Sequence, residues 1–117
     1  MEIDGIRLVN LCTQTMRFFL PGGGGTIEVP PSGITARVEV IEDEVGYFCG
    51  IPLVRQRFSP MINHLPDPVP GVVYLVSTMV LQACPGRDDL LAPNTGPRGG
   101  VRGPDGQIHG VTSLVCH

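Results

Sequence analysis

A mostly β domain with one short helix is the fold class this sequence predicts, and three observations carry it. Apolar and β-branched residues recur in short runs, several of them alternating with polar residues. The 16 glycines and 12 prolines fall between those runs, where they act as turns. A single segment, Thr78 to Cys84, follows a natural helix cap and stops at Pro85-Gly86. With 117 residues there is enough chain for one domain and not for two, so the expectation is a single domain over residues 1–117. It is expected as a small antiparallel sheet or barrel-like arrangement.

The elements follow in order. Ile6 to Leu11 reads as a first strand and Thr15 to Leu20 as a second. Pro21 to Gly25 is a flexible hairpin loop. A phosphate-cradling loop would need a Lys and a Ser or Thr opening a helix, whereas Thr26 to Val29 reads as a strand. Pro30 to Gly33 is the next turn. In the strand from Ile34 to Ile41, Ala36, Val38 and Val40 face one way and Arg37 and Glu39 the other, the pattern of a half-exposed antiparallel sheet. Glu42-Asp43-Glu44 reads as an acidic, solvated turn in preference to a divalent-cation site.

Val45 to Gly50 and Ile51 to Phe58 form a further hairpin. Ser59 to Pro70 is loop, stiffened by Pro60, Pro66, Pro68 and Pro70. Val72 to Val76 is the most apolar strand and is placed centrally. The Ser77 hydroxyl suits an N-cap, because it accepts a backbone N–H that the first helical turn leaves orphaned. Arg87 to Arg98 reads as an ordered loop. Val101-Arg102 and Gln107 to Val115 close a last hairpin around Gly103-Pro104-Asp105-Gly106.

Composition removes several functional classes. The net charge is -3 and aromatic residues make up 5%, with no Trp, so an extended nucleic-acid surface is not expected. No apolar run reaches the ~20 residues that cross a membrane as a helix. The N-terminal stretch MEIDGIRLVN lacks the apolar centre of a secretory leader. These readings place the chain in the cytoplasm, without membrane contact. All eight basic residues are Arg, which suits bidentate grip on carboxylates or phosphates and also fits plain base-composition bias.

The four cysteines, Cys12, Cys49, Cys84 and Cys116, form no C-x-x-C pair. Cys116-His117 has no ligand spacing that supports zinc, so no metal and no cofactor is expected. No nucleophile elbow, H-E-x-x-H or G-x-G-x-x-G is present.

The candidate ligand-binding residues are Arg55, Arg57, His64, Ser77, Thr78, Arg87, Asp88, Asp89, Asn94 and Thr95. Arg55 and Arg57 share one face of a strand. They read either as an anion clamp or as charges that protect a sheet edge. Arg87-Asp88-Asp89 follows the helix, where Arg87 can hold a ligand anion or satisfy helix carbonyls. Ser77 and Thr78 sit at a buried strand-to-helix turn, a common place for a small-molecule pocket. Asn94 and Thr95 add amide and hydroxyl groups. His64, in a loop before the central strand, is the better candidate for a base; His109 reads as structural.

Blocks along most of the chain carry a resemblance. These are Asn10-Leu11, PPSG..ARVEV (Pro30 to Val40), GIPLVRQRF (Gly50 to Phe58), LPDPVPGVVYLVS (Leu65 to Ser77) and RDDLLAPNTGP (Arg87 to Pro97). Together they resemble a small, largely uncharacterised protein family of bacteriophages and prophages. That family opens with N-L-T-P-H where this chain has Asn10-Leu11-Cys12-Thr13-Gln14, so no role for the histidine carries over. The resemblance implies a phage origin and no particular reaction. With the Arg, Ser/Thr and Asn inventory, the expected function is a phage-encoded, non-catalytic, homo-oligomeric protein. It would sequester a small nucleotide-derived anionic ligand, such as a host immune signal, in the host cytoplasm. The alternative is a virion or assembly component. A small hydrolase using His64 or an Asp comes third.

Overall fold

The computed structural model describes residues 1–117, Pro60 in its backbone only. In chain order the elements are β1 (Glu2–Ile3), β2 (Ile6–Asn10), β3 (Met16–Phe19), β4 (Thr26–Val29), β5 (Arg37–Phe48), β6 (Ile51–Asn63), β7 (Val72–Leu75), α1 (Thr78–Ala83), β8 (Leu90–Pro93), β9 (Gly100–Arg102), β10 (Ile108–Val111) and β11 (Leu114–Val115). A single 3-10 turn, Pro21–Gly23, links β3 to β4.

β7 is central because its residues are apolar on both faces. It lies in the middle of a five-stranded sheet ordered β1-β2-β7-β8-β11, and its pairings with β2 and β8 are both parallel. A continuous apolar run is what a strand buried on two sides requires. The period of two then divides the side chains between two cores. Leu11, Tyr74, Val76, Leu90 and Ala92 point to one side, where Val80 and Leu81 of α1 and Ala36 at the root of β5 close the layer. Leu75 points to the other, against Met16 and Val29 of a second sheet, with Leu8 and Leu91 packed around them. That second sheet has four strands, β4-β3-β10-β9.

α1 begins as its sequence predicts. The Ser77 Oγ accepts a hydrogen bond from the Val80 N–H at 3.3 Å, and Cys84 is the C-cap.

β5 and β6 make a third, two-stranded sheet that stands apart. Cys49 and Gly50 form its two-residue turn, with φ of 52° and 80°, the left-handed pair of a type I′ turn. The arm makes the molecule long: the radius of gyration is 16.9 Å, with extents of 54 × 39 × 24 Å. A compact chain of this length has a radius near ~13 Å.

The β-rich class with one short helix is thus the observed one. The strands divide among three sheets, none closed into a barrel among the described residues, and the central pairs are parallel where an antiparallel sheet was expected. Glu42-Asp43-Glu44 is mid-strand in β5, because it continues the pairing with Gln56, Arg55 and Val54. The expected loop from Ser59 begins later, since β6 runs to Asn63 with a bulge opposite Val38–Val40. The expected loop Arg87 to Arg98 contains β8, whose Leu90 and Ala92 fill the core. Gln107 to Val115 is broken in two: β10 pairs with β9, while β11 leaves for β8.

Ser77→Ala removes the one side-chain bond to the orphan N–H groups of α1. It should lower unfolding stability by about 1 kcal/mol in chemical denaturation, with an unchanged m-value.

Candidate functional site

β2, β7 and β8 run parallel, so their carboxyl ends lie together. In open sheets of this kind the crevice beyond those ends is where ligands bind. Here it holds a cleft of about 550 Å³, within the range of small-molecule sites. Three connections supply one side: Cys12 to Thr15 after β2, Ser77 and Thr78 after β7, and Pro93 with Thr95 at the end of β8. The second sheet supplies the other, through Met16 and Arg17 of β3 and Arg102, Gln107 and Ile108 to Val111 around β9 and β10.

Asn10 sets the first connection. Its side chain is fully buried, with 1% exposure, and every one of its polar groups is used. The Nδ2 donates to the Gln14 and Val29 carbonyls, each at 2.9 Å, and the Oδ1 accepts from the Cys12 N–H at 2.9 Å. One amide therefore shapes the loop Cys12 to Thr15 and joins it to β4 of the second sheet. The Asn10 carbonyl also accepts from the Ser32 N–H at 3.0 Å, and the Leu11 N–H donates to the Leu75 carbonyl at 2.8 Å.

On the second sheet, Gly110 lies under the Phe19 ring. A Cβ there would stand 2.5 Å from the ring and 2.9 Å from the Arg17 carbonyl, so only glycine allows β10 to sit this close to β3. His109 Nε2 lies 3.1 Å from Asp105 Oδ1, and this contact holds the Asp105 carboxyl below its usual range. Arg17 Nε donates to Glu28 at 2.7 Å. Arg102 gives one N–H to the Gly106 carbonyl at 2.7 Å, out of the five that a guanidinium carries.

The cleft wall therefore carries two arginines, one histidine and the hydroxyls of Thr13, Thr15, Ser77, Thr78 and Thr95, with no carboxylate among the lining residues. Burial pushes the Cys12 thiol up from its ordinary value. A thiol shifted that way is less of a nucleophile.

Of the residues singled out from sequence, Ser77, Thr78 and Thr95 meet in this cleft. Asn94 stands at its edge in a structural role. Its Nδ2 donates to Ser113 Oγ at 3.0 Å and its Oδ1 accepts from the Gly96 N–H at 3.2 Å. His64 follows β6 in a turn with a φ of 62° and lies in a separate hollow with Arg37 and Asn63. Arg55 and Arg57 are exposed on the arm, and Arg57 Nε donates to Asp43 at 3.0 Å. Arg55 lies within β6, eight residues (63 minus 55) before its end, roughly 26 Å along the strand at its usual rise.

Arg87 is a latch. It grips Asp89 with two N–H groups at 2.8 Å each and reaches the Pro66 carbonyl at 3.0 Å. The Tyr74 hydroxyl donates to the Asp67 carbonyl at 3.3 Å in the same proline-rich segment. Asp88 is exposed beside this latch. Arg55, Arg57 and Arg87 consequently do not converge on one anion. The residues that sequence reading passed over are Cys12 to Arg17, Arg102 and the β10 strand. For Cys12 to Thr15 the only early signal was polarity directly after a strand; Met16, Arg17, Arg102 and β10 lie on strands of the second sheet, whose place beside the first no local pattern sets.

Because the Arg87 N–H bonds hold the Asp89 carboxyl below the usual carboxylate range, this pair stabilises the fold above the unfolded-state pKa near ~4 and loses its effect as pH falls through the lower folded-state value. Asp89→Asn should cost about 2 kcal/mol at neutral pH. The gap to the unmodified protein should narrow below pH ~4 when urea midpoints are followed across pH. No protein-family model, curated protein or solved structure matches the chain, so the cleft is read from its own chemistry.

Proposed function

We propose that the chain is a phage-encoded, non-catalytic binding protein that holds a small nucleotide-like anionic ligand in the cleft at the ends of β2, β7 and β8. One observation carries this reading: a cleft of ligand size lined by Arg17, Arg102 and five hydroxyls, and by no carboxylate. Guanidinium forks suit phosphate oxygens, and hydroxyl and amide groups suit a ribose. Binding is favoured over hydrolysis because the lining offers no carboxylate base and the Cys12 thiol is shifted away from its thiolate. The phage origin rests on the sequence blocks named above. Sequestration in the host cytoplasm is the role that such a binder would serve.

A virion or assembly role is the second reading, and the protruding apolar arm is the observation that favours it. The two separate cleanly: a sequestering protein is absent from purified particles, whereas an assembly component is present there in stoichiometric amounts.

Isothermal titration with cyclic oligonucleotides and ADP-ribose derivatives tests the cleft. Arg102→Ala and Arg17→Ala should each weaken binding by about 1.5–3 kcal/mol, the scale of hydrogen bonds to charged groups. Arg55→Ala and Arg57→Ala should leave affinity unchanged. If no member of the panel binds the unmodified protein, the nucleotide-like ligand is wrong. If binding survives both cleft variants, the site is elsewhere.

A further inference from the structure

The arm is the part of the molecule that its own fold leaves unfinished. From Val45 to Val54 it carries no charged residue, and it is apolar on both faces. Tyr47 is 68% exposed, Phe48 65% and Ile51 62%, with Val45, Leu53 and Val54 about half exposed. These six residues leave roughly 600 Å² open, the upper end of what a lone monomer shows in its largest apolar patch. A hairpin of two strands is also marginal in water unless something packs on it.

The pairing register says which face is self-complementary. One face carries Ile41 opposite Arg57, Asp43 opposite Arg55, Gly46 opposite Leu53 and Phe48 opposite Ile51. The other carries Val40 opposite Phe58, Glu42 opposite Gln56, Glu44 opposite Val54 and Tyr47 opposite Pro52. Two copies of the second face would bring four glutamates together. Two copies of the first bring an acidic group on one strand and basic groups on the other.

The axis follows from the same pattern. A two-fold along the arm lays tip on tip and sets β5 over the partner's β6. Phe48 then lies over the partner's Ile51, Ile51 over the partner's Phe48 and Leu53 over the partner's Gly46, while Asp43, bonded by its own Arg57, faces the partner's Arg55. A two-fold across the arm would set each apolar tip on the partner's charged middle and β5 over β5. We propose that two copies of this chain pair through their β5–β6 arms, the Asp43, Arg55, Arg57, Phe48, Ile51 and Leu53 face of one on the same face of the other, about an axis along the arms. Of the six, Phe48, Ile51 and Leu53 lie on this face, and Asp43, Arg55 and Arg57 extend it down the arm toward the ~800 Å² per partner of a stable interface. A membrane is the poorer occupant: Glu42 and Glu44 stand directly behind the tip on a face with no arginine opposite them, and an anionic bilayer would repel them. This inference is independent of the ligand cleft.

Sedimentation equilibrium of the full chain tests it. The unmodified protein should be a dimer. Ile51→Lys should weaken the dimer by about a hundredfold, as expected for an anchor at an interface centre. Tyr47→Lys, on the opposite face, should change it little. Circular dichroism controls for folding of each variant. The double variant Arg55→Glu/Arg57→Glu and the single variant Asp43→Arg should each be monomeric alone and should form a heterodimer when mixed, because their faces become complementary only to each other. A monomer at roughly 100 µM, well above the roughly micromolar Kd at the weak end for specific interfaces, would overturn the proposal. So would equal effects of Ile51→Lys and Tyr47→Lys, failure of the mixed variants to associate, or capture of the arm by anionic vesicles in place of a second copy.

Discussion

One buried amide holds the working part of this molecule together. Asn10 ends β2 at the point where the chain leaves one sheet for the other, and its side chain touches both. It takes the Cys12 N–H of its own loop and gives its two N–H groups to carbonyls at Gln14 and Val29. A buried polar group left without partners costs about 1–3 kcal/mol, so three such groups satisfied by one side chain fix the loop with little freedom. That loop is the lip of the cleft. The packing of Leu75 against Met16 and Val29 presses the same two sheets together, but apolar contact has no direction. The amide gives the junction its geometry.

The body and the arm follow different physics. In the body, β7 alternates its side chains between two cores, and the ends of three parallel strands leave a crevice by construction. In the arm, two long strands are held by their own ladder and by a turn whose residues accept positive φ. The arm exposes aromatic and aliphatic residues that water disfavours, and the charges behind them are arranged so that another arm fits. A ligand-binding body with a dimerising arm would gather two clefts into one particle.

Much of the fold was legible in the residues because local chemistry decides it. Ser77 with its cap, Pro85-Gly86 as the stop, Thr26 to Val29 and the central apolar run at Val72 all follow from period and turn chemistry. Asp4-Gly5 carried the same kind of signal and makes the turn between β1 and β2, with φ of 53° and 79°. Sheet membership was not legible. β2 and β7 lie far apart in sequence, and nothing local says that Leu8 will sit beside Val73. The acidic run Glu42-Asp43-Glu44 looked like a turn because charge marks solvent, and an arm exposed on both faces makes a strand as polar as a loop. At the site, Ser77, Thr78 and Thr95 were readable because they follow buried segments. Arg87 was misleading: its guanidinium is consumed by Asp89 and Pro66, a partnership set two residues away and across a loop.

Amide hydrogen exchange at Cys12, compared between the unmodified protein and Asn10→Ala, tests the claim that the Asn10 amide builds the cleft lip. The account predicts that the Cys12 N–H, which donates to Asn10 Oδ1, exchanges slowly in the unmodified protein. It predicts that this protection collapses in the variant while the amides of β7 stay protected. A Cys12 amide that exchanges at the rate of an open loop in the unmodified protein, or one that remains protected after Asn10→Ala, would contradict it.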